Sequence, residues 1–326
     1  MATYDVFFYE AFDEERFLLE KFLNSQIKAG FAPETIQETG HSSPPAPVIS
    51  TRTQSHIPEE WAVQLRAILS RSTGYNHLLD YQETTAFKGQ LGYLPLYCNR
   101  AVAEQAMLLW MSLLRKLPLQ MERFNSFSRS GLTGLENAGK TLLVVGVGNI
   151  GREVVRIGQG LDMKVLGVDL VKKFEDTDYV SINQGIKQAD VIVAAMNLTK
   201  QNRGYFNYAL LKQAPRGTIF VNVARGELSP IDDLYRLMKE EHLGGLALDV
   251  YEQESKLGVL LRSGESNGND PLLKKIRELQ KMPNVIFTPH NAFNSAEAVE
   301  RKAEHSVKQL KHLFEMGRFL WPVPAE

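Results

Sequence analysis

Cysteine is almost absent from this chain of 326 residues, because Cys98 is the only one. A single cysteine excludes an internal disulfide and any metal or redox centre built on a Cys-x-x-Cys pair, and it fits a reducing compartment. No apolar run approaches the ~20 residues that span a bilayer. The acidic start, MATYDVFFYEAFDEERF, lacks the basic and long apolar segments of a signal peptide. We therefore expect a soluble, cytoplasmic protein without a membrane anchor.

An excess of basic residues is also missing, since 37 Lys and Arg face 38 Asp and Glu, for a formal net charge of −1. Such a balance offers no positive field for a polyanion, so we expect no nucleic-acid partner. The hydrophobic fraction of 44% is typical of a globular core. The length favours two domains.

Short apolar runs bounded by Gly, Asp and Pro recur along the chain and predict strands covered on both faces, as in a parallel sheet. Three lie in the first hundred residues, at 4–9, 48–51 and 67–70. Six more follow at residues 141–146, 164–169, 190–195, 218–223, 244–250 and 284–289. The first series predicts a small parallel sheet, and the second predicts a doubly wound domain over residues 139–290.

Three other segments complete this organisation. A helical pattern capped by Asp13 runs to about Gly30. Residues 101–114 are apolar nearly all round, which predicts a helix buried between domains or subunits. The polar stretch at 255–270 is typical of a surface insertion.

The sequence GVGNIG at residues 146–151 lies between a predicted strand and a predicted helix. Gly146 permits a tight turn, Gly148 lets a pyrophosphate approach the backbone, and Gly151 lets the helix pack on the strand. The amides at the helix start then face the phosphates. A glycine turn alone can serve packing only, so its context decides the interpretation.

Asp169 supplies that context, because it ends the next strand, eighteen residues after Gly151. An acid at about this interval accepts hydrogen bonds from the ribose hydroxyls and repels a 2′-phosphate, which favours NAD over NADP. Lys172 and Lys173 follow closely. We interpret both as solvated loop residues, since most surface lysines are.

Polar residues follow three later strands: Arg225, then Asp249 with Glu254, then His290. Ligands of open parallel sheets bind at the carboxyl ends of the strands, so these side chains can converge on a nicotinamide. Each has a plain structural alternative, such as a surface ion pair for Arg225 or a solvated loop acid for Glu254.

Together these residues resemble the D-isomer-specific 2-hydroxyacid dehydrogenase family, and within it the D-lactate dehydrogenase-like branch. Besides GVGNIG with Asp169, the resemblance rests on motifs that occur in family order over most of the chain. They are RSTGYNHL, YCNRAVAEQA, LDMKVLGVD, LTKQNRGYFN, VNVARGEL, GLALDVYEQE and TPHNAF.

The resemblance implies a catalytic trio. Arg225 binds the substrate carboxylate and polarises the 2-keto group, His290 is the general acid/base, and Glu254 orients its imidazole. A guanidinium fork matches a carboxylate, and an imidazole exchanges protons near neutral pH. No metal is required.

The resemblance also assigns binding residues. The cofactor NAD contacts Gly146, Gly148, Asn149, Ile150, Gly151, Asp169, Asn197, Ala224 and Asp249. Backbone amides at Thr73 and Gly74 hold the substrate carboxylate, and Tyr97 lines the substrate pocket. His77, in the same motif as Thr73, we interpret as structural.

Three departures from the family pattern bear on cofactor and substrate preference. Met196–Asn197 stand where the family commonly has a proline before Leu-Thr, and Gln105 replaces a frequent histidine. Asn294–Ser295 replace the usual tyrosine-threonine of the lactate-like branch.

The resemblance implies an α/β architecture in which a Rossmann doubly wound nucleotide domain is inserted in a smaller flavodoxin-like substrate domain. The substrate domain covers residues 1–98 and 294–326, and the NAD-binding domain, with an interdomain helix and dimerisation arm, covers 99–293. A cleft between them would close over the substrate. A homodimer follows from the same resemblance.

The implied reaction is NAD-dependent reduction of a small 2-keto acid to the D-2-hydroxy acid, with pyruvate and D-lactate as the expected pair. Formate oxidation on this fold needs no acid/base pair, so Glu254 with His290 argues against it. Two alternatives stay open: a dehydrogenase for another 2-hydroxy acid such as glycerate or glyoxylate, and a dinucleotide-sensing corepressor-like interaction protein. The substrate itself rests on analogy, because fold does not determine function.

Overall fold

The computed structural model describes residues 4–23, 27–262 and 270–324. Within them the strands are β1 (Val6–Phe8), β2 (Ala29–Phe31), β3 (Val48–Thr51), β4 (Ala67–Ser70), β5 (Gln90–Gly92), β6 (Thr141–Val145), β7 (Lys164–Val168), β8 (Asp178–Tyr179), β9 (Val191–Ala194), β10 (Thr218–Asn222), β11 (Leu243–Leu248) and β12 (Val285–Phe287). The helices are α1 (Asp13–Phe22), α2 (Ile36–Thr39), α3 (Asn76–Thr85), α4 (Asn99–Leu114), α5 (Leu117–Phe124), α6 (Asn149–Gly160), α7 (Ile182–Gly185), α8 (Tyr208–Leu211), α9 (Ile231–Lys239), α10 (Glu254–Arg262), α11 (Pro271–Gln280) and α12 (Ala296–Met316). None of the helices in these residues combines the length and apolarity needed to cross a membrane.

Five parallel strands form the first sheet, in the order β2-β1-β3-β4-β5. Strands β1, β3 and β4 are buried along their whole length, which explains their uninterrupted apolar runs. A 2-1-3-4-5 order is that of flavodoxin-like folds, so the fold predicted for this part of the chain is confirmed.

Seven parallel strands form the second sheet, in the order β12-β11-β10-β9-β6-β7-β8. The strand order changes direction at β6: β7 pairs with one edge of this strand, and the later strand β9 pairs with the opposite edge. Such a switch point opens a crevice at the carboxyl ends of the strands, where doubly wound proteins bind ligands. The predicted Rossmann sheet is therefore confirmed.

The long helix predicted after β1 is wrong at both ends. Phe12 is the N-cap residue without a side-chain cap bond, so Asp13 lies in the first turn instead of capping it. The helix ends at Phe22, and β2 occupies residues 29–31. Gly30 is needed in this edge strand, because a Cβ there would lie 2.4 Å from the ring of Phe7.

The predicted surface insertion at 255–270 is also wrong in its first half. Residues 254–262 form α10, which buries Leu257 and Leu260. Asp270 then caps α11, because its carboxylate accepts hydrogen bonds from the amides of Leu272 and Leu273. The rest of the predicted insertion, residues 263–269, lies outside the described residues.

The chain divides into two compact units, one of residues 1–98 with 294–326 and the other of residues 99–293. The first unit packs its apolar side chains around Ile49 and Trp61, which are 0% exposed. The second unit packs its own core around Phe206 and Phe220, equally buried. Each unit therefore has an independent hydrophobic core.

A cluster of three charged side chains is buried in the first unit. Glu15, on α1, lies 2.8 Å from Nε of Arg71 and 2.9 Å from Nζ of Lys302. Burial alone raises the pKa of Glu15, but the nearby cations outweigh it and hold the pKa at about 2. Burial lowers the pKa of Lys302 to about 8. Removing Glu15 would leave two cations in the core without their anion.

Candidate active site

The glycine loop after β6 has the geometry that its sequence predicts. Gly146 has φ +95, and a Cβ on it would lie 2.5 Å from the backbone of Met196. A Cβ on Gly151 would lie 1.9 Å from the carbonyl oxygen of Gly146. Gly148 is the N-cap of α6, and a Cβ there would meet nothing within 4 Å. The loop is thus tight against the protein but open in front of the helix.

That open side suits a pyrophosphate. Asn149, Ile150 and Gly151 form the first turn of α6, and the first-turn amides of a helix have no partner within it. Their positive dipole end attracts anions. The chain around Gly148 therefore fits a dinucleotide.

Asp169 lies at the other side of this loop, directly after β7. Its Oδ2 accepts a hydrogen bond of 2.7 Å from the amide of Val147, and its Oδ1 accepts one of 3.1 Å from the amide of Val171. The residue is exposed, as are Lys172 and Lys173. Backbone amides of the loops on either side thus hold the exposed carboxylate in place, and its contact with ribose hydroxyls stays a prediction.

The segment after β9 contains Asn197, which departs from the family pattern. The residue is exposed, and its carbonyl oxygen accepts a 2.8 Å hydrogen bond from the side-chain Nδ2 of Asn202. Asn202 also accepts a 2.7 Å bond from the backbone of Thr199. The loop is closed by its own side chains even though the proline is missing.

Arg225 follows β10 in a turn that Asn222 organises. The fully buried Asn222 donates to the carbonyl oxygen of Arg225 at 2.9 Å and to Oγ of Ser229 at 2.8 Å, and it accepts from the amide of Ala224 at 2.9 Å. The side chain of Arg225 is half-buried and donates to the carbonyl oxygen of Ala224 at 2.7 Å. The buried side-chain amide of Asn222 thus hydrogen-bonds to the backbone of this turn and fixes the position of the Arg225 backbone, from which the guanidinium extends.

The Arg225 turn packs on the loop after β11. A Cβ on Gly226 would lie 1.9 Å from the carbonyl carbon of Tyr251, so no other residue fits there without a backbone shift. This close approach brings Arg225 beside the loop that leads to Glu254.

Asp249 is buried at the end of β11 and holds the following strand's loop. Its Oδ1 accepts hydrogen bonds from Oγ1 of Thr288 at 2.5 Å and the amide of Asn291 at 2.9 Å, and its Oδ2 accepts from the amide of Ala292 at 2.9 Å. All of these donors flank His290. Sequence reasoning missed this role, and the contact of Asp249 with a nicotinamide carboxamide stays a prediction.

Tyr251 holds the same loop from a second side. Its hydroxyl lies 3.0 Å from the carbonyl oxygen of Leu248 and 2.8 Å from that of Thr288. Burial raises the pKa of this hydroxyl, so it stays a protonated donor. The ends of β11 and β12 are thereby joined.

His290 occupies that loop with φ 51, a backbone conformation that a non-glycine residue adopts at a cost. Its Nδ1 lies 2.6 Å from Oε1 of Glu254. Because an ionised carboxylate can only accept, Nδ1 carries the hydrogen and Nε2 is the atom that can exchange a proton. The side chains are 26% and 30% exposed, so solvent-borne ligands can reach the pair.

Strand order brings these groups to one edge. Arg225, Glu254 and His290 follow β10, β11 and β12, which are consecutive neighbours in the sheet. Parallel strands end on the same side. The second unit therefore presents a permanent cation and a proton-exchanging pair at the carboxyl edge where the glycine loop also lies.

The predicted substrate residues lie together in the first unit. Oγ1 of Thr73 donates to the carbonyl oxygen of Leu94 at 3.1 Å and lies 3.4 Å from Sγ of Cys98. Gly74 is half-buried beside it. Tyr97 is only 4% exposed, and burial raises the pKa of its hydroxyl well above the usual value. Arg301 donates to the carbonyl oxygen of Tyr97 at 2.9 Å.

Two of the departures from the family pattern lie at positions with a visible structural role. Oγ of Ser295 accepts a hydrogen bond from the amide of Ala298 and caps α12, which the usual threonine could also do. Met196 lies against Gly146, as described above. Gln105 is half-buried on α4, and nothing in the structure explains its replacement of histidine.

Residues 107–292 match the model of the D-isomer specific 2-hydroxyacid dehydrogenase family, in its NAD binding domain. The chain belongs to this family. Its members are NAD-dependent oxidoreductases, and the fit of the glycine loop and Asp169 to a dinucleotide agrees with that membership.

Curated relatives of this dehydrogenase family are about a third identical to the chain over the aligned residues. D-lactate dehydrogenase from Escherichia coli strain K12 is 32% identical over 257 residues, which cover 76% of each chain. An aromatic 2-oxoacid reductase from Clostridium sporogenes is 31% identical over 253 residues, or 76% of this chain and 75% of the reductase. Among solved structures, D-lactate dehydrogenase from Aquifex aeolicus, complexed with NAD and lactic acid, has a TM-score of 0.84 at 27% identity, covering 98% of this chain and 100% of the other.

Proposed function

We propose that this dehydrogenase reduces a small 2-keto acid to the D-2-hydroxy acid, with pyruvate and D-lactate as the expected pair. The observation that carries the proposal is the 2.6 Å contact between His290 and Glu254, beside the turn that bears Arg225. A half-exposed imidazole with one nitrogen held by a carboxylate is suited to proton transfer from the other.

In the reductive direction, the keto carbon would accept a hydride, which is the chemistry that bound NADH would supply. The guanidinium of Arg225 pairs with the substrate carboxylate and stabilises the charge that develops on the keto oxygen. His290 then gives the proton on Nε2 to that oxygen. Glu254 keeps the imidazole oriented and offsets its positive charge while it is protonated.

The first unit contributes the proposed substrate contacts. Backbone amides at Thr73 and Gly74 would hold the carboxylate, and Tyr97 would limit the size of the substrate side chain. We likewise propose that residues 1–98 with 294–326 act as the substrate domain and residues 99–293 as the NAD-binding domain.

The cofactor contacts are proposed on the same basis. The amides of Asn149 and Ile150 would bind the pyrophosphate, and the carboxylate of Asp169 would accept hydrogen bonds from the ribose hydroxyls. Asn197, Ala224 and Asp249 are proposed to line the nicotinamide side.

Pyruvate is not favoured by every comparison. The aromatic 2-oxoacid reductase is nearly as similar as the D-lactate dehydrogenase, at 31% against 32% identity. A larger 2-keto acid is therefore the second candidate. A corepressor-like role needs nucleotide binding without turnover, and the retained His290–Glu254 contact argues for the enzyme.

The test follows NADH absorbance with the purified protein and six 2-keto acids: pyruvate, hydroxypyruvate, glyoxylate, oxaloacetate, 2-ketobutyrate and phenylpyruvate. Rapid oxidation with pyruvate supports the proposal, and a preference for phenylpyruvate or glyoxylate replaces the expected substrate. If none of the six acids caused NADH oxidation although NADH bound measurably, the dinucleotide-sensing, corepressor-like role would be favoured.

We also propose a homodimer, built by α4 and α5 with the segment that follows them. Large apolar side chains are exposed there: Leu108, Leu117, Met121, Phe124, Phe127 and Leu135. Light scattering on a size-exclusion column should give twice the 36.8 kDa chain mass, and Phe124→Glu should shift it to the monomer. A monomeric mass for the unsubstituted chain would contradict the dimer.

A further inference from the structure

A chain of side-chain hydrogen bonds ends on the loop that carries Thr73. Nε2 of His77 lies 3.2 Å from Oγ of Ser70, which lies 2.6 Å from Oγ of Ser72. Ser72 in turn donates to the carbonyl oxygen of Gly74 at 2.6 Å. Ser70 is fully buried at the end of β4, and His77 lies in the first turn of α3.

Each hydroxyl has one hydrogen, so the direction of this chain is determined. Ser72 gives its hydrogen to a carbonyl oxygen, which can only accept. Ser70 must therefore donate to Ser72, and the oxygen of Ser70 is left to accept from His77. The imidazole thus carries a hydrogen on Nε2, which identifies its tautomer when it is neutral.

The chain of bonds supports one side of a loop whose other side is fixed separately. The carbonyl oxygen of Ser72 accepts from the amide of Leu94 at 3.1 Å, and Thr73 donates to the carbonyl oxygen of Leu94 at the same distance. With Gly74 held through Ser72, both ends of the Thr73–Gly74 peptide are restrained. Aligned hydrogen bonds also polarise one another, which strengthens the restraint.

We propose that His77 is a positioning residue for the substrate carboxylate, acting through Ser70 and Ser72 on the Thr73–Gly74 loop. This inference rests on the proposed function of that loop and revises our interpretation of His77 as merely structural. A restrained peptide presents its amides to the carboxylate without an ordering cost on binding, so loosening it weakens substrate binding more than the chemical step.

The test compares His77→Leu, which removes the donor, with His77→Gln, which keeps a donor near the position of Nε2. For His77→Leu we expect the KM of the 2-keto acid to rise roughly three- to tenfold, the effect of one lost hydrogen bond, with kcat little changed. His77→Gln should have a near-normal KM. Ser72→Ala, which removes the hydroxyl that donates to Gly74, should have a raised KM. The exposed His56 supplies the control, since His56→Leu should change neither parameter.

A second measurement does not depend on turnover. In 15N NMR of the unsubstituted protein, the neutral imidazole of His77 should carry its hydrogen on Nε2, and Ser70→Ala should weaken that preference. A hydrogen on Nδ1, or an unchanged KM in a folded His77→Leu variant, would overturn the proposal. If the unsubstituted protein turned over no 2-keto acid, the proposed function would fall first, and the NMR result would show separately whether the directed chain of bonds exists.

Discussion

Both units have charged residues at the carboxyl edge of a parallel sheet, but these residues are buried in the first unit and partly exposed in the second. In the first unit, Arg71 is 0% exposed and donates to Glu15, to Ser50 and to two backbone carbonyl oxygens. In the second, His290 and Glu254 are 26% and 30% exposed. A cation whose three nitrogens all donate inside the protein stabilises the fold, whereas a half-exposed pair can act on a ligand.

The side chains that surround the buried cluster and the exposed pair differ in the same way. Glu15 pairs with both Arg71 and Lys302 in the core, where none of the three side chains is more than 3% exposed. Around His290, the buried Asp249 and the half-buried Tyr251 bind the backbone and leave the imidazole nitrogen Nε2 for chemistry. Substitutions in the two regions should therefore affect different properties.

The largest effect is expected at His290. His290→Gln should lower kcat by about 10²–10⁴, because the proton donor is lost, while the Kd of NADH stays within about twofold. Steady-state kinetics and fluorescence titration of NADH would measure the two quantities. His56→Gln is the control on a surface histidine, and normal turnover by His290→Gln would remove this residue from the mechanism.

The next effect is expected on stability, at Glu15→Gln in the first unit. It leaves Arg71 and Lys302 buried without their anion, so the free energy of unfolding should fall by about 3–5 kcal/mol, measured by urea denaturation. Glu20 lies on the same helix in an exposed pair with Arg16. Glu20→Gln should cost less than about 1 kcal/mol, and equal effects of the two substitutions would contradict the structural role of the cluster.

Acid should act on the same cluster. The pKa of Glu15 is lowered from 4.5 to about 2, chiefly because Arg71 and Lys302 overcome the effect of burial. A lowered carboxyl pKa contributes stability above pH 4.5 that is lost as the pH falls to about 2. At ~1.4 kcal/mol per unit, this loss is on the order of 3 kcal/mol.

Urea midpoints measured between pH 5 and pH 2 would check this expectation. The unsubstituted protein should lose more stability over that interval than Glu15→Gln, whose amide does not titrate. Parallel curves for the two proteins would assign the acid sensitivity to other groups.

Much of the second unit could be predicted from sequence because its signals are local. Gly146, Gly148 and Gly151 are adjacent in the chain, and each candidate side chain follows the end of an apolar run. Asn222 also gave a local signal, since a polar residue within a buried strand needs internal partners. Its role in holding Arg225 could have been suspected from VNVARG.

The first unit was harder to predict because its decisive contacts are remote in sequence. Glu15, Arg71 and Lys302 have no shared spacing, and nothing before folding distinguishes them from solvated charges. The three-residue strands β2 and β5 are too short to show a period. The chain of bonds from His77 likewise depends on side-chain directions that no motif specifies.

The smallest effect is expected at Asp169, in the second unit. Asp169 is exposed and charged, yet the amide of Val147 holds it, so it combines a fixed position with access to a ligand. Asp169→Asn keeps an oxygen that can accept from Val147 and removes the charge that repels a 2′-phosphate. We expect the preference for NADH over NADPH, as a ratio of kcat/KM, to fall about tenfold, or ~1.4 kcal/mol.

Asp162→Asn, at an exposed position beyond α6, should leave the ratio unchanged. If Asp169→Asn also leaves it unchanged, the charge of Asp169 does not select the cofactor, and the neighbouring Lys172 and Lys173 must then be tested for contacts with the ribose.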